Sequence, residues 1–168
     1  YLLSLKKLSF ISDFLPFIFD AYPNIYDKYF LPFFDFTMDF LNLIVNDKGG
    51  YVKRSKLLSI TPPKTFFQSK FYMSSFCSLI KALEVILKNN ADIVRPYFAD
   101  VIISCTNNLK SGISELETIH ILNLLNKTLE KMKLEEISQI LKDQNIDNLY
   151  NIVFMTGSRF ISPEISQN

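Results

Sequence analysis

Tryptophan is absent from this 168-residue chain, histidine occurs once, cysteine twice and glycine four times. Each shortage excludes something. Four glycines are too few for the many tight turns of a β-sandwich or barrel, and nowhere do they form a phosphate-cradling loop. The cysteines, Cys77 and Cys105, stand far apart inside apolar patterns, which argues against a disulfide framework and for a reducing compartment. Long apolar runs are missing too. The greasiest stretch, Phe10 to Val45, is interrupted by Asp13, Asp20, Asp27, Asp35 and Asp39 and by Pro16, Pro23 and Pro32, so nothing reaches the roughly 20 apolar residues that span a bilayer. A net charge of +1 provides no global field to draw the chain to nucleic acid or to an anionic membrane. No cleavable signal pattern opens the sequence, and it starts at Tyr1, as a processed form or a piece of something longer would. The expectation is an intracellular protein, cytoplasmic or nuclear.

What remains is greasy and aromatic. With 48% hydrophobic residues, 16 Phe and 8 Tyr against 21% charged, the chain is too apolar to be disordered. A domain of this length buries roughly 70% of its unfolded surface, so a core needs no staple. The spacing predicts helices throughout: 2–11, then 14–22 with Ser12 and Asp13 as capping oxygens and Pro16 in the first turn. A third helix covers about 25–45, with Pro32 marking a kink or a second start. Residues 46–64 change character, combining Gly49-Gly50, the basic run Lys53-Arg54-Ser55-Lys56 and Pro62-Pro63, and are read as a loop. Helices follow at about 65–88, 93–109, 114–132, 134–141 and 149–155. The helix at 114 has the strongest start signal, Ser114 with Glu117 three residues on, the pattern of a capping box. Residues 156–168 read as a polar tail. The fold expected is all-α, an irregular bundle or short solenoid of six to eight helices, with 1–168 a single domain or solenoid segment.

Shifting the sequence by 68 residues lays one helix pair over another. Residues 24–30 fall on 92–98, Phe33-Phe34 on Val101-Ile102, Leu41 on Leu109, and Phe17-Ile18-Phe19 on Val85-Ile86-Leu87. Buried-type positions match while exposed ones do not. This pattern resembles the HEAT and armadillo class of α-solenoid, in particular the loosely spaced repeats of the importin-β and exportin superfamily. The resemblance covers residues 12–45 and 70–109, with 113–142 as a third pair. It implies a scaffold or transport-receptor segment that binds a peptide or helix, with no cofactor and no chemistry of its own. The insertion at 46–64 departs from a regular array.

Candidate sites have plainer explanations beside them. Lys48, Lys53, Arg54, Lys56 and Lys64 form a cluster able to meet phosphate or an acidic partner, or simply a solvated loop. His120 stands three residues after Glu117, but nothing completes a general-base pair or a metal site. Cys77 and Cys105 read as inert core thiols. Asn126-Lys127-Thr128 is a formal glycosylation sequon within a helix. The stripe Phe14, Phe17, Phe19, Phe30, Phe33, Phe34, Phe36 and Phe40 exceeds what one helix face can bury, so part of it is expected to face a partner or a neighbouring repeat. Partner contact is accordingly assigned to Phe33, Phe36 and Phe40 and to Lys53, Arg54 and Lys56. No catalytic, cofactor-binding or metal-ligating residue is assigned. The expected partner is a protein, by peptide or helix, with self-association open and nucleic acid disfavoured. Two rivals stay open: a compact helical regulator with an apolar groove for a partner helix, and a phosphate or nucleic-acid binder using residues 48–64.

Overall fold

The computed structural model describes residues 13–42, 70–144, 146 and 149–158, and among them no strand occurs. The helices are α1 (13–21), α2 (Tyr26–Leu41), α3 (Lys70–Asn89), α4 (Phe98–Lys110), α5 (Glu115–Leu129), α6 (Leu134–Asp143) and α7 (Leu149–Ser158). The protein is all-α, as the periodicity of its apolar residues predicts. The helix expected at 2–11 and the basic loop at 46–64 lie outside the described residues.

Side-chain contacts fix the direction of each helix. Tyr72, early in α3, stacks on Phe40 at the end of α2, and Asn89 at the end of α3 reaches Tyr26 at the start of α2. Those two helices are therefore antiparallel. Asp13 accepts hydrogen bonds from Ser74 and Ser78, and Asp20 one from Asn89, so α1 runs alongside α3 in the same sense. By the same reasoning α4 parallels α2, because Tyr97 meets Phe30 and Phe34 while Ser104 meets Asn42. On the far side Lys127 of α5 pairs with Glu84 of α3, and Arg95, just before α4, reaches Glu136 of α6 at 3.3 Å. The hairpins α1–α2 and α3–α4 are thus stacked with like helices pointing alike, and α5 and α6 follow on the far side. α7 then returns to pack on α4.

The core runs through the stack. Phe30, Phe34, Met38 and Leu41 of α2, Phe76, Ile80, Leu83 and Leu87 of α3, Val101, Ile102, Cys105 and Leu109 of α4 and Ile121 and Leu124 of α5 are all closed to solvent. Positions matched by the 68-residue shift are buried in both copies: Phe19 and Leu87, Tyr26 and Val94, Phe30 and Phe98, Phe34 and Ile102, Leu41 and Leu109. A full side chain of this size contributes about 1.5–3 kcal/mol when buried. That is why the apolar half of the pattern repeats and the polar half does not.

Three local expectations are corrected. Of the two readings of Pro32, the second start does not hold: α2 continues through the exposed proline, with Phe30 and Phe34 buried on the turns on either side. The helix expected over 93–109 is broken, with Ala91–Val94 forming one turn, Arg95–Tyr97 a 3-10 turn at Pro96, and α4 starting only at Phe98. Pro96 has no N–H to donate to the preceding turn, so the α pattern gives way to a 3-10 turn there, while Arg95 before it keeps α-region angles at φ −48° and ψ −45°. Finally, α7 runs to Ser158, three residues into the predicted polar tail. The capping box is as read: Ser114 N–H and Oγ–H donate to Glu117 Oε2 at 2.8 and 2.6 Å, and Glu117 N–H returns a bond to Ser114 Oγ. Gly112, in the left-handed region at φ 76°, makes the tight turn that precedes it.

Candidate binding face

Nine residues of α1 carry two apolar faces. One points inward: Phe19 is buried, with its ring edge-on to Tyr26 and Phe33 at centroid distances of 5.9 and 4.8 Å, and Leu15 packs beside it. The Tyr26 hydroxyl donates to the Phe19 carbonyl at 2.6 Å, filling an acceptor that the end of a helix leaves open. The other face is the more exposed one. Phe14, Phe17 and Ile18 are 49%, 72% and 41% exposed, and Ala21 extends the row at helical spacing. The charges of α1 do not share this face, because Asp13 and Asp20 are held by α3.

On α2 the neighbouring surface is aromatic as well. Tyr29 is 48% exposed, with Lys28 Nζ 5.2 Å from its ring centroid, and Phe36 is half-buried with its ring tilted against Phe40. Of the sequence-assigned residues, Phe33 and Phe36 are thus half-buried, packed on the core yet within reach of solvent. Phe40 is fully enclosed, stacked on Tyr72 at 5.5 Å, so its role is to seat α3 rather than to touch a partner. Lys53, Arg54 and Lys56 lie outside the described residues.

The face that the sequence assignment passed over is Phe14, Phe17 and Ile18. Their signal was legible: a helix apolar all round is one that expects neighbours on both sides. Exposed large hydrophobics among the described residues fall on α1, α2, α5, α6 and α7 and at Tyr22, and none belongs to α3 or α4.

Other candidate chemistry is drawn apart by the fold. Glu117 is buried in its capping box and lies against the Tyr72 hydroxyl, whose pKa is raised first by burial and then by that carboxylate. His120 lies farther along α3, near Lys81 and Glu84; partial burial and the Lys81 charge lower its pKa, with Glu84 opposing. No Glu-His dyad forms. Burial pushes the Cys105 thiol up to about 12 and raises that of Cys77, which makes both poor nucleophiles. Thr128 of the sequon is buried and bonded to the Leu124 carbonyl. Among the described residues, no group of three or more His, Cys, Asp or Glu comes together as metal ligands, and no helix is long and apolar enough to cross a membrane. A cleft of 80 Å³ between Ile103, Thr106, Lys110 and Gln144 is well below the roughly 300 Å³ of a small-molecule site.

No protein-family model matches the chain, and no curated protein or solved structure matches it.

Proposed function

We propose that this protein is a non-catalytic protein-binding module, a HEAT-like scaffold or transport-receptor segment of the cell interior. Its docking surface is the outer face of α1 and α2. One observation carries the reading: Phe17 and Ile18, on the side of α1 away from the buried Phe19, are 72% and 41% exposed. Keeping large apolar side chains in water forgoes about 25 cal/mol per Å², and a contiguous patch of them marks a contact surface. A helical partner suits it, since the row repeats with the pitch of a helix.

The test is a capture experiment with the whole chain immobilised in cell lysate. Phe17→Glu with Ile18→Glu, a pair that disturbs no enclosed side chain, is expected to abolish retention of bound proteins. Retention unchanged by that pair would overturn the reading.

A further inference from the structure

α4 carries a covering helix that α2 lacks. Ser104 meets Asn42 of α2, and Val101, Cys105 and Leu109 are closed in the core. That leaves Ala99, Ile103 and Asn107, spaced four apart, as the outer row of α4. All three are half-buried. With α2 and α5 packed on other sides of α4, the side that α7 covers is this one. The link into α7 reaches the same row: Ile103 and Asn107 share a cleft with Gln144 and Ile146, and the buried Ile146 donates its N–H to the Leu141 carbonyl at 2.9 Å, turning the chain back from α6. On α7 the side chains packed inward are Leu149, Ile152 and Val153, the i, i+3, i+4 spacing by which a helix seats in a groove.

The stack itself does without this cover in its first hairpin. The 68-residue shift lays Leu31 on Ala99 and Asp35 on Ile103, and Leu31 is 47% exposed. So α2 keeps a charge and an open leucine where α4 has Ile103 beneath a helix. The hold on α7 is also slight. Leu149, Ile152 and Val153 are half-buried and Tyr150 and Asn151 exposed, whereas α2, α3, α4 and α5 each enclose several side chains. A segment with few enclosed contacts opens at lower free energy than the core. The cleft beside it keeps 80 Å³ of space, against about 30 Å³ for one water.

We infer that the outer row of α4 is a helix-binding seat which α7 fills as a tethered ligand, and that a partner's helix with apolar residues at i, i+3 and i+4 takes the seat when α7 lifts off. The seat is separate from the outer face of α1 and rests on different observations. Lys110 lines the cleft at one end of the row, where the chain's own link offers Gln144, so an entering helix with a carboxylate at that end gains a charged contact that α7 lacks. Joined through residues 144–148, α7 competes from an effective concentration on the order of millimolar. A free helix of equal intrinsic affinity therefore binds weakly until the hold of α7 is loosened.

The test titrates the full chain into a fluorescent synthetic peptide of residues 145–158. Ile152→Asp in the chain, which weakens its own α7, is expected to tighten peptide binding by at least about ten-fold over wild type. Adding Ile103→Asp to that variant, or placing Ile152→Asp in the peptide, is expected to abolish binding. Equal binding by wild type and Ile152→Asp, or none by the folded variant, overturns the inference. Loss of the cooperative fold in Ile152→Asp also overturns it, because α7 is then part of the core. Hydrogen exchange on the wild type is a second measurement that needs no variant: amides of 149–158 are expected to exchange well before those of α3 and α4, and equal protection removes the detachable helix. None of these outcomes involves Phe17 or Ile18, so this seat and the α1 face stand or fall separately.

Discussion

The first and last hairpins of the stack are finished differently. α6 is two-sided: Ile140 and Leu141 pack on the core, while Leu134, Glu135, Ser138, Gln139, Lys142 and Asp143 face water. Its exposed side is laced by Gln139 donating to Asp143 at 2.7 Å, and on α5 Asn126 donates to Glu130 at 2.7 Å. Such spacings add about 0.2–0.5 kcal/mol each. α1 has no such outer dressing, only Phe14, Phe17, Ile18 and Ala21. The described outer surface of α6 is thus mostly polar, with Leu134 as its exposed apolar residue, whereas Phe17 and Ile18 make that of α1 apolar.

The same residue type should behave in opposite ways on the two sides of the first hairpin. Phe34→Ala, inside, removes a ring wholly closed to water and packed on Phe30 and Tyr97; chemical denaturation is expected to show a loss of about 3–5 kcal/mol. Phe17→Ala, outside, is expected to leave the monomer within about 0.5 kcal/mol of wild type. Comparable losses for both would erase the distinction between the faces.

Polar joints rank next. Asn42 donates to the Met38 carbonyl at 2.7 Å and to Ser104 at 2.9 Å, tying α2 to α4 in the core. Asn42→Ala is expected to cost about 1–3 kcal/mol because it leaves buried partners unmet. At the capped end, Ser114→Ala removes the capping box of α5 and is expected to cost about 1 kcal/mol, measured by the shift in denaturation midpoint. A larger loss at Ser114 than at Asn42 would place the stronger joint at the finished end.

The smallest effect is a titration. His120 has its pKa lowered in the fold, so the unfolded chain takes up a proton more readily. Stability is then fully present above the unfolded value of about 6.5 and declines as pH falls through it toward the folded one. His120→Gln is expected to flatten that slope; a slope unchanged between wild type and variant would remove the burial and the Lys81 charge as its cause.

Much of this was legible before the coordinates. The class of fold, the Ser114–Glu117 box and the matching of buried positions across 68 residues follow from apolar spacing and turn chemistry, which are local. The two prolines were harder. Pro96 breaks its helix and Pro32 does not, although buried residues flank both, Val94 and Phe98 in one case and Phe30 and Phe34 in the other. The site was half legible. A surplus of phenylalanine was evident, but assigning it to Phe40 failed because the Tyr72 ring that covers it comes from 32 residues away in sequence. Phe14 and Phe17 were visible as part of the stripe, and only the position of α3 reveals which side of α1 is spoken for.

Alternating helix direction has an electrical consequence. At each edge of the stack the start of one helix lies beside the end of its hairpin partner, so half-charges of the backbone dipoles alternate and cancel. Side chains follow the same rule, with Asp27, Asp100 and Glu115 in first turns and Lys88, Lys110 and Lys127 in last turns. The backbone of the described helices therefore adds little net dipole, and the field around them is set by their side chains.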